Sequence, residues 1–203
     1  MTAKYEAQLP GTTIYIANED VRRDVTGLGV PLRAMGLFQR PALVEASTLI
    51  ASARRLVVAE DIDNPTNLGA IIRSAAALGW DGIVLSSGSA DPLARRALRV
   101  SMGTGLMVPF ARVEPHENIH EILQRGNFRT FALTPSDDGI DLRTIQIDNE
   151  EKLAIFLGSE RDGLHTQTLT TADVMVRIPM HSSVDSLNVG AAAAIALYQL
   201  GPK

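Results

Sequence analysis

The sequence predicts an α/β fold, a mostly parallel sheet flanked by helices, and three observations lead to this prediction. Short apolar runs typical of buried strands recur along the chain, as at residues 56–59 and 83–85. Segments with helical periodicity separate them, as at residues 65–78. The chain has 203 residues, 45% of them hydrophobic, which suits one full-sized core. Strands that alternate with helices in this way are typical of parallel sheets covered on both faces.

The N-terminal part of the chain shows no regular alternation of strand and helix patterns. Residues 12–17 predict a strand, residues 26–31 a turn, and residues 41–53 a short helix. Elements this short cannot form a core alone. We therefore assign residues 1–53 to an N-terminal extension and residues 54–203 to the main domain.

The elements of the main domain follow from local signals. Two helices are predicted to start at Asn64-Pro65 and Asp91-Pro92, because a cap residue followed by proline favours a helix start. The second of these carries Arg95, Arg96 and Arg99 on the face opposite its apolar residues. Strands are predicted at residues 56–59, 83–85, 106–110, 128–133, 153–157 and 174–178, and further helices at residues 119–125 and 191–200.

Composition excludes several classes of protein. The absence of cysteine excludes disulfides and thiolate metal sites. No stretch approaches the roughly 20 apolar residues that span a bilayer, and the first residues lack the apolar core of a signal peptide. These features predict a soluble, cytoplasmic protein without a membrane partner. The net charge of -4 argues against indiscriminate nucleic-acid binding, although the arginine clusters leave local phosphate-binding patches open.

Three polar loops follow predicted strands, where ligands bind in proteins of this class. They are residues 60–69, with Arg73 further along the helix, then residues 158–163, and then residues 178–190. Taken singly, the first two are explained by a capped helix start and a tight turn with solvated charges.

Other signatures of chemistry are weak. Gly103-Thr104-Gly105 lacks the third glycine of a dinucleotide fingerprint, because position 108 is valine. His116 and His120 have the spacing of a metal pair on a helix, but without a third ligand we interpret them as a solvated face and predict no metal. Ser186 lacks the Gly-x-Ser-x-Gly context of a hydrolase nucleophile.

Taken together, the three loops resemble the three motifs of the SpoU/TrmH family, the RNA 2'-O-ribose methyltransferases of the SPOUT superfamily. The resemblance covers residues 54–200, with the motifs in the family's order. The motifs read Asn64-Pro65-x-Asn67-x-Gly69-x-x-x-Arg73, Gly158-x-Glu160-x-x-Gly163, and Ile178-Pro179-Met180 followed by Asp185-Ser186-Leu187-Asn188-Val189.

This resemblance implies a SPOUT α/β-knot whose C-terminal trefoil knot forms the S-adenosylmethionine pocket. It also implies a homodimer whose active sites combine both chains, and an RNA partner, either tRNA or rRNA. Residues 1–53 resemble the tail of an accessory RNA-binding domain. By the same resemblance, the cofactor is held by backbone groups near Leu133, Thr134, Gly158, Ile178, Met180 and Leu187.

The resemblance also assigns catalytic roles. Arg73 would stabilise the developing alkoxide of the ribose hydroxyl or the adjacent phosphate, a role that suits a permanently charged group. Asn67, Ser186 and Asn188 would orient the substrate and the loop. Glu160 would position a neighbouring motif or arginine as structural support rather than act as general base.

One residue departs from the family pattern. The family usually has glycine two residues after the Pro-Met pair, where this chain has Ser182. If that glycine takes a positive φ, serine strains or reshapes the loop. Ser182 and the short N-terminal part favour an alternative, an RNA-binding paralogue that methylates nothing. A generic doubly wound oxidoreductase is a third interpretation, which the missing glycine fingerprint disfavours.

Overall fold

The computed structural model describes residues 7–8, 10–27, 34–148, 150–181 and 185–202. The chain forms two compact units, Met1–Pro41 and Ala42–Lys203. No described helix has both the length and the apolar character needed to cross a membrane.

In the first unit, helix α1 covers Glu19–Thr26. The side chain of Asn18 caps it by accepting a hydrogen bond from the amide of Val21, at 3.0 Å. The strand predicted at residues 12–17 is wrong, because these residues have no regular secondary structure. A strand needs a pairing partner for its backbone groups, and the described part of this unit contains no other strand.

The second unit alternates strands with helices. Its helices are α2 (Ala46–Ser52), α3 (Pro65–Ala77), α4 (Arg95–Val100), α5 (Ile119–Arg125), α6 (Thr166–Thr171) and α7 (Val189–Leu200). Its strands are β1 (Arg55–Glu60), β2 (Gly82–Leu85), β3 (Phe110–Arg112), β4 (Arg129–Leu133), β5 (Ile140–Asp141), β6 (Leu153–Gly158) and β7 (Val174–Arg177). Two short 3-10 turns lie at Thr104–Leu106 and Leu142–Thr144.

The strands form one sheet in the order β3-β2-β1-β6-β4-β7-β5. Each neighbouring pair is parallel. Near the centre, Val58 pairs with Val84 on one side and with Phe156 on the other. The late strands β6 and β7 therefore occupy interior positions between strands formed by earlier parts of the chain. The predicted mostly parallel sheet flanked by helices is confirmed.

Apolar side chains cover both faces of this sheet. On one face, α3 and α7 bury residues such as Ile71 and Leu197 against the strands. The indole N–H of Trp80 donates to the backbone carbonyl of Leu197 at 3.1 Å, which ties the end of α3 to α7. On the other face, α2 and α5 pack around Phe156. The carboxyl ends of the strands are left for loops.

Some predicted boundaries are shifted. The strand predicted at residues 106–110 begins only at Phe110, because the chain first forms the 3-10 turn Thr104–Leu106. This turn is stabilised by a 2.7 Å bond from the hydroxyl of Thr104 to the carbonyl of Ser101. Helix α4 begins at Arg95 instead of Pro92, since the Asp91 carboxylate accepts from the amide of Leu93 and forms a turn first. The short strand β5 and helix α6 were not predicted.

Candidate functional site

Two asparagines join the first and third predicted motifs. Asn67 lies buried in the first turn of α3, which Asn64 caps by accepting from the amide of Thr66 at 2.9 Å. Asn188 caps α7 in the same way, accepting from the amide of Gly190 at 2.9 Å. The Nδ2 of Asn188 also donates to the Oδ1 of Asn67 at 3.0 Å. The hydrogen bond therefore links the starts of two helices.

Small residues allow α3 and α7 to meet there. A Cβ added at Gly190 would lie 3.1 Å from the Cβ of Ala70. A larger side chain at position 190 would push the helices apart and lengthen the bond between the asparagines. Gly190 and the hydrogen bond between Asn188 and Asn67 thus both stabilise the contact between α3 and α7.

The second motif forms a tight loop after β6. Ser159 and Gly163 pair across it, with the amide of Gly163 donating to the carbonyl of Ser159 at 3.1 Å. A Cβ at Gly158 would lie only 2.3 Å from the carbonyl carbon of Gly163. Because backbone cannot retreat as a flexible side chain can, position 158 accepts only glycine in this conformation.

This loop is tied to the loop after β1. Nε2 of His165 lies 2.9 Å from a carboxylate oxygen of Asp61, and the backbone amide of His165 donates to Glu60 at 2.5 Å. Arg161 lies 3.7 Å from Asp63. Glu160 is exposed and makes no hydrogen bond or ion pair with any residue that the structure describes. Its predicted supporting role stays a prediction.

A buried polar network lies beneath these loops. The hydroxyl of Thr168 donates to the carboxylate of Glu60 at 2.5 Å and lies 3.1 Å from the Nε2 of His120. The carboxylate accepts the hydroxyl proton, so Thr168 accepts from the Nε2–H of His120. The imidazole stacks on Phe156 with ring centroids 4.8 Å apart.

The solvated face predicted for the two histidines is therefore wrong for His120, which is buried, and His116 precedes the helix. Desolvation by burial lowers the pKa of His120 below its ordinary value, and the charge of Glu60 opposes this shift. The residue spacing could have predicted that His120 is buried, because it lies three residues before the buried Leu123 of α5. Among the described residues, no group of His, Asp and Glu side chains is arranged to hold a metal ion.

The predicted cofactor residues lie at the ends of β4 and β6, in the segment after β7 and, for Leu187, directly before the cap of α7. Thr134 follows β4 and its amide donates to the carbonyl of Val176 at 2.9 Å. The side chains of Leu133 and Ile178 pack against the core. Ile178 and Met180 lie in the segment that follows β7, and Leu187 lies directly before Asn188, the cap of α7.

Apolar walls beside the backbone donors and acceptors of these loops fit the adenosyl part of S-adenosylmethionine, because adenine presents flat apolar faces and a polar edge. Gly158, which has no room for a side chain, adds a close backbone surface. The departure at Ser182 lies outside the described residues.

The remaining candidates are exposed. Arg73 lies on α3, and its side chain makes no hydrogen bond or ion pair in the described part of the chain. Ser186 is exposed and likewise has no hydrogen-bond partner among the described residues. The structure therefore brings Asn67 and Asn188 into contact. It shows no hydrogen bond from Arg73, Glu160 or Ser186 to them.

Comparisons with known proteins agree with this geometry. The model of the SpoU rRNA Methylase family matches residues 54–198. An uncharacterised tRNA/rRNA methyltransferase of Mycobacterium tuberculosis (strain H37Rv) is 40% identical over 194 residues, which cover 93% of this chain and 66% of that protein. The chain thus spans about two thirds of that relative's length.

Two further relatives carry more specific names. The 23S rRNA (guanosine(2553)-2'-O)-methyltransferase RlmP of Bacillus subtilis is 28% identical over 202 residues, 97% of this chain and 78% of that protein. The crystal structure of an AdoMet-bound rRNA methyltransferase from Sinorhizobium meliloti superposes with a TM-score of 0.84 at 27% identity, covering 98% of this chain and 75% of that one. The family model spans all three motifs, and the chain belongs to the SpoU rRNA methylase family.

Proposed function

We propose that this protein transfers a methyl group from S-adenosylmethionine to the ribose 2'-hydroxyl of a nucleotide in tRNA or rRNA. The named activities of its relatives support this proposal. The observation that carries it is the hydrogen bond from Asn188 to Asn67, which joins two motifs that the family sequence pattern places far apart.

The chain's residues have distinct parts in this reaction. When bound, S-adenosylmethionine supplies an electrophilic methyl group on a sulfonium. Leu133, Thr134, Gly158 and the backbone of residues 178–180 and 187 would hold it. Arg73, which is exposed and has no described partner to neutralise it, stabilises negative charge on the 2'-oxygen or the adjacent phosphate as the hydroxyl proton passes to solvent water.

Orientation supplies a further part of the rate. Asn67 is fixed by Asn188, and Ser186 lies two residues before Asn188, on the same loop. Side chains held in this way place the hydroxyl in line with the methyl group, and such positioning can supply several kcal/mol of the barrier. Glu160 supports the second motif without taking the proton.

The proposal includes an assembly. The segment after β7 would pass through a loop as a trefoil knot, which agrees with the position of β7 between β4 and β5. Two copies would form a homodimer through α7, where Tyr198 and Ile195 are exposed beside a groove lined by Leu142. We place the dimer in the cytoplasm, where its RNA substrates are made.

One observation favours a second function. Ser182 replaces the glycine that the family usually has, and a distorted cofactor loop would leave a protein that binds RNA without methylating it. Calorimetry with S-adenosylmethionine separates the two functions. Binding supports the enzyme, whereas no binding at millimolar cofactor favours the inactive paralogue.

The test of the enzyme is a map of 2'-O-methylation in total RNA from cells with and without the protein. We expect at least one ribose to lose its methyl group when the protein is absent and to regain it when the purified protein and S-adenosylmethionine are added. An unchanged map, in both the cells and the purified reaction, contradicts the proposal.

A further inference from the structure

Arginine side chains without a partner are confined to two helices of the described chain, α3 and α4. Most described arginines are engaged in ion pairs, in bonds to backbone carbonyls, or in other contacts. Three arginine side chains among the described residues have no hydrogen bond or ion pair, namely Arg73, Arg96 and Arg99. All three are exposed, and we call them the basic face.

The helices that carry the basic face are in direct contact. A Cβ added at Gly69 of α3 would lie 2.7 Å from the carbonyl oxygen of Ala97 in α4. Arg73 follows Gly69 by one helical turn, so it lies on the side of α3 that meets α4. Arg96 and Arg99 are three residues apart and share one side of α4. The candidate catalytic arginine therefore lies on a helix that packs directly against the helix carrying Arg96 and Arg99.

No acidic residue lies in the adjoining sequence. From Pro92 to Val113 the chain has four arginines and no aspartate or glutamate, although its net charge is -4. The fourth of these, Arg112, donates to the carbonyls of Ser86 and Ala90 and has no carboxylate among its bonds. This segment therefore has a positive potential on an otherwise acidic protein, which attracts a polyanion.

Exposed apolar side chains lie beside the basic face. Met102, Leu106 and Met107 are 73%, 65% and 81% exposed. They lie on the turn after α4, which packs against α3. The amide of Gly103 donates to the carbonyl of Leu98 at 2.9 Å, so the turn is held in place with its apolar side chains outward. We call these three residues the apolar turn.

We infer that the basic face and the apolar turn bind an unpaired segment of RNA next to the nucleotide that is methylated. Arg96 and Arg99 would contact phosphates, and unstacked bases would lie against the apolar turn. Proteins that bind single strands combine a positively charged track with side chains, most often aromatic, that contact the faces of the bases. In this protein the Met and Leu side chains of the apolar turn would supply that contact. Because the helix that carries Arg96 and Arg99 packs against the helix of Arg73, the track leads toward the proposed catalytic position. The inference rests on the proposed function for its RNA substrate.

The test compares two double variants with the unaltered protein. The first is Arg96→Ala with Arg99→Ala, and the second is Leu106→Ser with Met107→Ser. The matched control is Arg54→Ala with Arg125→Ala, which removes the same charge from exposed arginines that are ion-paired elsewhere. The probes are a short single-stranded RNA of mixed sequence and the same RNA annealed to its complement. Affinity is measured at several salt concentrations, and calorimetry with S-adenosylmethionine checks that each variant is folded.

The two double variants should differ in their dependence on salt. Loss of two phosphate contacts should make the slope of log affinity against log salt less negative by about 1.4, since each contact to a single strand contributes about 0.7. The Leu106/Met107 variant should bind the single strand several-fold more weakly with an unchanged slope and should lose its preference over the duplex. The control should match the unaltered protein.

The outcomes separate this inference from the proposed function. If the protein methylates RNA but the Arg96/Arg99 variant keeps both its affinity and its salt slope, the inference is wrong and the proposed function stands. If the Leu106/Met107 variant instead turns a dimer into a monomer in sedimentation, the apolar turn is an interface between copies and the inference is wrong. If the unaltered protein binds neither cofactor nor RNA, both are overturned.

Discussion

The side-chain amide of Asn188 donates a 3.0 Å hydrogen bond to the Oδ1 of Asn67, while its own oxygen caps α7. These two roles can be separated by substitution. In Asn188→Ser the shorter side chain still caps the helix but does not reach Asn67. We expect methyl transfer to fall roughly ten- to a hundred-fold, because misplaced groups lose much of the benefit of orientation. Urea unfolding should change little.

Asn188→Ala is the matched comparison, since it removes both roles. It should lose about 1 kcal/mol of unfolding free energy with the cap, in addition to the loss of activity. Equal activity in Asn188→Ser and the unaltered protein would show that the bond to Asn67 has no part in the reaction.

Arg73→Ala should bind S-adenosylmethionine normally and transfer methyl groups about a hundred- to a thousand-fold more slowly. The expected size is that of removing one group that stabilises negative charge in a transition state. Single-turnover transfer to RNA measures the rate, and calorimetry measures the cofactor affinity. Arg125→Ala, an exposed arginine paired with Glu121, is the control. Full activity in Arg73→Ala refutes the assigned role.

Gly158→Ala should weaken cofactor binding and destabilise the fold by about 1–3 kcal/mol, a typical cost of forcing atoms into a filled space. The added methyl group would meet the backbone of Gly163 and Leu164 at 2.3–2.4 Å, so the loop must move. Calorimetry and thermal unfolding provide the two measurements. Asp162→Ala changes an exposed side chain of the same loop and should leave both unaltered. Normal cofactor affinity in Gly158→Ala would mean that the cofactor does not bind next to Gly158.

Tyr198→Arg should separate the proposed dimer. Tyr198 is 77% exposed on α7, and the loss of one central contact typically costs about 2 kcal/mol, or roughly thirty-fold in Kd. Sedimentation velocity over a range of concentrations measures the change. Met107→Arg, which places the same charge on the apolar turn, should leave the dimer intact. A dimer that forms equally well with Tyr198→Arg must use a different surface.

Stability should decrease as the pH falls below about 6.5, the ordinary pKa of histidine. Because burial lowers the pKa of His120, the unfolded chain takes up a proton in this range while the folded chain does not. Protonation therefore favours the unfolded state between the ordinary pKa and the lower pKa of the folded state. Urea unfolding at pH 7.5 and at lower pH values measures the effect.

Substitution of His120 and of His116 tests whether His120 causes this pH dependence. His120→Gln, which can still donate to Thr168, should flatten the dependence below pH 6.5. His116→Gln removes an exposed histidine and should leave it unaltered. Identical pH profiles for both variants would mean that His120 is not the group responsible.

Local signals made much of the fold predictable. Asn64-Pro65 marked the start of α3 because a helix cap needs only neighbouring residues. The apolar runs predicted the buried strands for the same reason. The strand predicted at residues 12–17 failed because a strand depends on a partner that a local pattern does not contain.

Local sequence patterns could not predict contacts between residues that are distant in sequence. Asn67 and Asn188 are 121 residues apart, and periodicity alone gave no reason to pair them; the family resemblance brought their motifs together. No resemblance pointed to His120 and Thr168, which are 48 residues apart. The burial of that histidine could be read from its spacing to Leu123, but its contact with Thr168 became visible only in the structure. The roles of Arg73, Glu160 and Ser186 stay predictions.

The positions of β6 and β7 have a consequence for synthesis on the ribosome. β6 separates β1 from β4, and β7 separates β4 from β5. A nascent chain that ends before β6 therefore has the three-stranded piece β3-β2-β1 and the separate strands β4 and β5, all with unpaired edges on which aggregation can begin. The seven strands can form one sheet only after β7 has been synthesised and has left the ribosomal tunnel, because β5 has no other neighbour in the sheet.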